Sequence, residues 1–220
     1  RSSGSSPPSG STPRSNLASS PVRAGAVRAA GSEVTAQLLW AASAAQRARG
    51  LRHWIATLSL PPLPAEGVAH IEAQLLDARA DAQATFAWQG TVIRRWRDLL
   101  HAERLRPALP DGWHAEWDGT APCQLPDGGR LVLESKGTGF DLPMTLTPRR
   151  GGERITLPGR SHTHALKDVL QPLGVPPWER RQLPLLWRQD RLWAAGDLVL
   201  SADGDAWLRA RGARLAWQRG

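Results

Sequence analysis

The sequence predicts an α+β protein: a disordered N-terminal tail, then a mixed helix/hairpin domain, then a small C-terminal α+β domain. Three observations predict it. The first 33 residues are mostly Ser, Pro, Gly and Ala, with no stretch able to form a core. After them, apolar residues recur at helical spacing in some segments and at alternate positions in others. Turn residues separate those segments throughout. A chain of 220 residues that is 41% hydrophobic has material for one large or two small domains, each with its own core.

From Val34 the pattern reads as helical. Leu51, Trp54, Ile55 and Leu58 stand at i, i+3, i+4 and i+7, one face of a helix. "PPLP" at 61–64 ends it, and Val68, Ile71 and Leu75 open a second helix, antiparallel to the first across a short connection. The period then falls to two. "TFAWQGTVIRRWRD" (85–98) reads as a hairpin about Gln89-Gly90, and "DGWHAEW" and "GGRLVLES" as further strands. These segments make a mixed helix-hairpin domain over 34–135. The glycines of "KGTGFDL" (136–142) place the boundary, softly, because strands on either side can share one sheet.

The second domain, 142–220, centres on a helix capped by Ser161 or Thr163. Leu166, Val169, Leu170 and Leu173 form its buried face, with His164, Lys167, Asp168 and Gln171 outward. "GVPPW" breaks the chain, and a short helix starts at Pro177. "LPLLWRQDRLWAAGDLVL" reads as hairpins, and "DAWLRARGARLAWQ" as a last hairpin about Arg211-Gly212.

The net charge of +8 is unevenly distributed: residues 1–33 carry +3, residues 34–148 carry −1, and residues 149–220 carry +6. A basic excess confined to the last third points to a polyanionic partner more than to general solubility. It is weighed against a strong genomic bias, since 26 of the 28 cationic residues are arginine. The single cysteine, Cys123, excludes an internal disulfide and a multi-cysteine zinc site. No apolar run approaches the ~18 residues of a membrane span, and no signal-peptide core is present, so the expected location is the cytoplasm.

Candidates for catalysis are weak. "ESKGTG" (134–139) has the letters of a phosphate-binding loop in the wrong order. His162 and His164 lack a third metal ligand, "ADGDAW" (202–207) lacks a calcium loop's spacing and reads as a turn, and Glu134 and Asp141 face no evident base. Cys123 is structural filler rather than a nucleophile. No catalytic residue and no metal is expected in this chain.

Arginine remains. "PRRGGERITLPGR" (148–160) is either a wet turn between strands or a grip for a polyanion. Arg149, Arg150, Arg154 and Arg160 precede a helix whose N-terminal amides would face a bound anion, Lys167 lies one turn in, and Arg180 and Arg181 extend the surface. Arg94, Arg95 and Arg97, around Trp96, form a second cluster.

At these residues the sequence resembles a known family. "GGERITLPGRSHTHALKDVLQPLGVPPWERRQLPLLW" followed by "LWAAGDLVL" is similar to the C-terminal domain of tRNA(Ile)-lysidine synthetases, through Gly152 to Ile155, Gly159-Arg160, Leu166-Lys167, Val175 to Trp178 and Leu183 to Leu186. "RARGLRHWIATLSLPPLP" and "LLDARADAQATFAWQGTVIRRWRDLL" resemble that family's middle, substrate-binding domain, so the likeness covers about residues 45–200. Asp168 stands where the family commonly has a second lysine. The resemblance implies an ATP-dependent ligase, with Mg, that attaches lysine to the wobble cytidine of the CAU anticodon of tRNA(Ile). It also implies that the ATP-binding loop lies outside this chain, which would bind no cofactor and be inactive alone. What the chain would do is hold the tRNA, through Arg149, Arg150, Arg154, Arg160, Lys167, Arg180, Arg181, Arg94, Arg95 and Arg97. The alternative is a stand-alone, non-catalytic module for structured RNA.

Overall fold

The computed structural model describes residues 33–35 (backbone only), 43–76, 84–137 and 139–219, so nearly all of the expected tail lies outside the described residues. A strand β1, Glu33–Thr35, stands where the sequence places the end of the tail and the start of a helical stretch. It pairs antiparallel with a strand more than sixty residues away, a non-local partner that local periodicity does not reveal.

Helix α1, Ala44–Thr57, begins where a capping box fixes it: the Ser43 hydroxyl accepts from the Gln46 amide, and the Gln46 side chain accepts from the Ser43 amide. Leu51, Trp54 and Ile55 are its buried face, as the spacing predicts. The proline segment ends it, and α2, Ala65–His70, runs on through a single π-helical turn, Ile71–Leu75. Against these helices lies a four-stranded antiparallel sheet in the order β1-β4-β3-β2, with β2 Thr85–Trp88, β3 Thr91–Trp96 and β4 Leu99–Arg104. The β2–β3 turn needs two positive φ angles, supplied by Gln89 (41°) and Gly90 (70°). Ile93, Leu100 and Ala102 face the helices and, with Leu51, Ile55, Ile71 and Leu75, complete the first core. Each fully buried Leu or Ile there contributes about 1.5–3 kcal/mol.

The second core is built on a five-stranded antiparallel sheet, order β13-β12-β11-β8-β5, and a three-stranded one, order β14-β7-β6. Their strands are β5 Ala115–Trp117, β6 Cys123–Gln124, β7 Arg130–Glu134, β8 Met144–Pro148, β11 Pro184–Arg188, β12 Arg191–Ala195, β13 Val199–Leu200 and β14 Arg214–Gln218. A two-stranded ribbon, β9 Arg154–Thr156 with β10 Thr163–Ala165, leads into α3, Leu166–Leu170. Then come α4, Pro177–Gln182, with its proline in the first turn as expected, and α5, Ala202–Ala210.

Strands β5 and β7 belong to this second body: β5 pairs with β8, and β7 with β14. The two cores change over between Ala102 and Leu109, upstream of the glycine-rich 136–142 segment. Residues 202–210, expected as a turn and one arm of a hairpin, are helix α5; only its continuation, β14, is a strand. The Ser201 side chain caps the Gly204 amide at 3.0 Å, and Asp203 and Asp205 sit in the positive first turn. Neither Ser161 nor Thr163 caps α3. Its N-cap is Ala165, without a side-chain bond, and the Leu166 amide donates to the Glu153 carbonyl at 2.8 Å.

Candidate nucleic-acid interface

The β9–β10 ribbon carries the second half of the 148–160 arginine stretch. Pro158 and Gly159 turn the chain between the strands, and Arg160 stands on that turn, exposed. Arg154 reaches diagonally across the ribbon, donating from Nε to Thr163 Oγ1 at 2.9 Å and from Nη2 to the Thr163 carbonyl at 2.8 Å. These two bonds hold its exposed guanidinium in one place with N–H groups to spare. Lys167, in the first turn of α3, is exposed. The α3 helix is too short, and its first amide too engaged with Glu153, to offer the anion-binding N-terminus expected of it.

The remaining predicted residues divide by what already holds them. Arg149 pairs with Glu153 at 3.4 Å. The Arg150 side chain donates to the Asp111 carbonyl at 2.7 Å, while the amides of Arg150 and Gly151 both donate to Glu153 Oε1. Arg95 is spent internally: its Nη1 donates to the carbonyls of Leu75 and Leu76, closing the C-terminal end of the π turn. Arg94 pairs with Glu103 and lies over the Trp178 ring, 5.0 Å from its centroid. Arg181 is exposed on α4, and Arg97 is exposed with its guanidinium 4.4 Å over Trp96.

Arg180 faces the other way from Arg181. Its Nε donates to the Val175 carbonyl at 2.7 Å. Burial, then the positive charges of Arg149 and Arg97, pull its pKa below the usual guanidinium value. So residues far apart in sequence converge where the two cores meet. The strand alternation of β3 and β4 puts Arg94, Trp96, His101 and Glu103 on the sheet face away from the first core. Trp178 of α4 docks on that face, edge-on to Trp96 at 6.4 Å and to His101 at 5.4 Å. Gln182 Nε2 donates to the Arg106 carbonyl at 3.2 Å beside it. The sequence gives Trp178 a place in a family motif but no role, because nothing local pairs position 178 with position 96.

A second feature that the sequence does not reveal is a concavity of about 460 Å³ beside the ribbon, lined by Arg154, Thr163, Asp190, Arg191, Ser201 and Asp203 among others. Arg191 and Asp203 pair across it at 3.7 Å, both strongly exposed. His162 and His164 do approach each other, with ring centroids 4.5 Å apart. Among the described residues no group of three or more His, Cys, Asp or Glu side chains is placed to hold a metal ion. Burial pushes the Cys123 thiol up, away from a reactive thiolate. Among the described residues, the next regular element after the "ESKGTG" segment is strand β8, not a helix that could receive a nucleotide phosphate.

Two family models match the chain, the TilS substrate binding domain over residues 36–101 and the TilS substrate C-terminal domain over residues 144–217, together more than half of it. The chain belongs to the TilS family. It is 49% identical over 183 residues to the tRNA(Ile)-lysidine synthase of Xanthomonas axonopodis pv. citri, a match covering 83% of this chain and 42% of that protein. The synthase of Xylella fastidiosa strain Temecula1 is 49% identical over 178 residues, covering 79% and 41% respectively. That of Methylococcus capsulatus is 30% identical over 165 residues, covering 72% and 36%. The chain therefore spans about four tenths of the length of the Xanthomonas and Xylella relatives. Among solved structures, a TilS C-terminal domain crystal structure aligns with 49% of this chain and 98% of its own, at 20% identity and a TM-score of 0.36.

Both TilS segments fall on the structural bodies described above. The substrate binding segment covers the first core from α1 into β4, and the C-terminal segment runs from β8 to β14. The intervening 102–143 stretch, which neither family model matches, supplies β5, β6 and β7 to the second core.

Proposed function

We propose that this chain is the tRNA-holding portion of a tRNA(Ile)-lysidine synthase. In that reading it presents tRNA(Ile) with its CAU anticodon to an ATP- and Mg-dependent active site on another part of the enzyme, where lysine joins the wobble cytidine, in the cytoplasm. The observation that carries it is the β9–β10 ribbon and α3, inside the TilS C-terminal segment, which expose Arg154, Arg160 and Lys167 together. Arg160 and Lys167 have no side-chain partner among the described residues, so neither guanidinium nor ammonium is consumed by the fold. Arg150 and Arg181 are exposed as well, and forked Arg contacts suit phosphate oxygens. Arg94 and Arg95 serve mainly to hold the scaffold that positions the others. The body boundary in this proposal falls between Ala102 and Leu109, where the cores change over.

The test is binding of a tRNA(Ile) transcript to the chain across a salt series. Each phosphate contact lowers the slope of log affinity against log salt by about 0.7–0.9. Joint substitution Arg160→Ala with Lys167→Ala should flatten that slope by about 1.4–1.8. An unchanged slope and affinity would overturn the assignment of this surface.

A further inference from the structure

We propose that Arg97, Arg149 and Arg180 form one phosphate seat at the junction of the two cores, and that filling it locks the cores together. The inference rests on the RNA-holding reading above, but uses a different place on the molecule. The three side chains come from three separate elements: the β3–β4 turn, the end of β8, and α4. Trp96 and Trp178 bring them near one another. Arg97 stacks on Trp96, Gly174 packs against the edge of the Trp96 ring, and Arg180 Nε donates to the carbonyl of the next residue, Val175. Strand β8 carries Arg149 to the same end, because Pro148 pairs with Pro184 just beyond α4.

The electrostatics of this arrangement are unfavourable without a counter-charge. Arg97 has no carboxylate partner among the described residues, and Arg180 donates only to a neutral carbonyl. Arg149 has Glu153, but the pair is loose: Arg149 Nε and Glu153 Oε2 are buried and neither makes a hydrogen bond. Both Arg149 and Arg97 bear on Arg180 as like charges. Repulsion between Arg97, on the first body, and Arg180 and Arg149, on the second, acts across the very contact that Trp178 makes. A tetrahedral phosphate offers several acceptor oxygens to three guanidinium forks and reverses the sign of that interaction. Anion binding and docking of the two bodies are thereby linked: whatever fills the seat stabilises the docked arrangement, and docking raises affinity for the anion. In the working protein the phosphate is one from the RNA backbone, which makes the seat a sensor that RNA lies across both bodies.

The experiment uses the whole chain, with inorganic phosphate and chloride compared at equal ionic strength. At roughly ten times its dissociation constant, phosphate should raise the melting temperature by about 3–6 °C above the chloride control. Arg97→Gln and Arg180→Gln should each abolish that increment, and each should weaken binding of the tRNA transcript by about 5- to 30-fold. Arg52→Gln should keep the increment, since it stands exposed on helix α1 with no part in either surface. Equal phosphate increments in all four proteins would overturn the seat. A phosphate increment that depends on Arg97 and Arg180, with no tRNA binding, would uphold the seat for free phosphate and sink the RNA-holding reading. Intact tRNA binding by Arg97→Gln and Arg180→Gln, with no phosphate increment in any protein, would sink the seat alone.

Discussion

Replacing Trp178 by Ala removes the contact that fixes one core against the other, and its cost can be worked from the geometry. Two edge-on ring contacts are lost, to Trp96 at 6.4 Å and His101 at 5.4 Å, and one cation–π contact from Arg94 at 5.0 Å. Aromatic pairs contribute about 0.5–1.5 kcal/mol each and a part-exposed cation–π contact about 0.5–1 kcal/mol. The sum, before counting buried area, is about 1.5–4 kcal/mol. For a protein of this size that lowers the melting temperature by roughly 3–16 °C. Urea denaturation followed by tryptophan fluorescence measures it. Because Trp178 bridges two cores, the variant should also broaden the transition or split it in two, as the first body unfolds apart from the second. A double-mutant cycle with Trp96→Ala isolates the ring pair, and its coupling energy should be about 0.5–1.5 kcal/mol. A single sharp transition in Trp178→Ala, with destabilisation under about 0.5 kcal/mol and no coupling to Trp96, would refute the claim that these rings hold the bodies together.

Three further outcomes follow from the local structure. Ser201→Ala removes the cap of α5 and should cost about 1 kcal/mol in urea titration, whereas Thr163→Ala should not fray α3, which it does not cap. The Trp207 indole N–H bond, then the Arg211 charge, hold the Asp141 carboxyl below the usual aspartate range. A depressed folded pKa contributes stability above the unfolded value of about 3.9 and loses it as pH falls through the folded value, so the wild-type advantage over Asp141→Asn should shrink in acid melts from about pH 4 downward. Arg95→Ala should destabilise the chain by about 1–3 kcal/mol through the orphaned carbonyls of Leu75 and Leu76, while leaving the salt slope of tRNA binding unchanged. A flattened slope in that variant would return Arg95 to the binding surface.

Much of the fold is legible in the sequence because local rules and tertiary demands agree. The Leu51, Trp54, Ile55 face, the Gln89-Gly90 hairpin and the Pro177 helix start each appear where spacing or turn chemistry puts them. Strand β4 is hidden by its turn. Arg97 takes a φ of 56° there without a glycine to announce it, so "LLHAER" shows no bracket. Helix α5 is concealed because Asp-Gly-Asp resembles a turn; Ser201 followed by acids in the first turn is the available signal and outweighs the glycine. The β5 and β7 partners, β8 and β14, lie across the expected boundary, and pairing of that range is invisible to periodicity.

The arginines show a different limit. Composition counts charges, but a charge serves a ligand only if the fold leaves it one. Arg94 and Arg95 are neighbours in a strand and so point to opposite faces: one reaches Glu103 and Trp178, the other the carbonyls that end the π turn. Arg180 and Arg181 are neighbours in a helix, one turned inward toward Val175 and the junction, the other exposed. In each pair the sequence shows two equal letters and the backbone gives them unequal work. Arg149 and Arg150 repeat the division, one in a loose ion pair beside Arg180, the other reaching across to Asp111. A run of arginines in this chain therefore alternates between charge that builds the platform and charge the platform displays. Removing either kind should weaken RNA binding, but only removal of an arginine that meets a phosphate, whether displayed on the surface or seated at the junction, should change its dependence on salt.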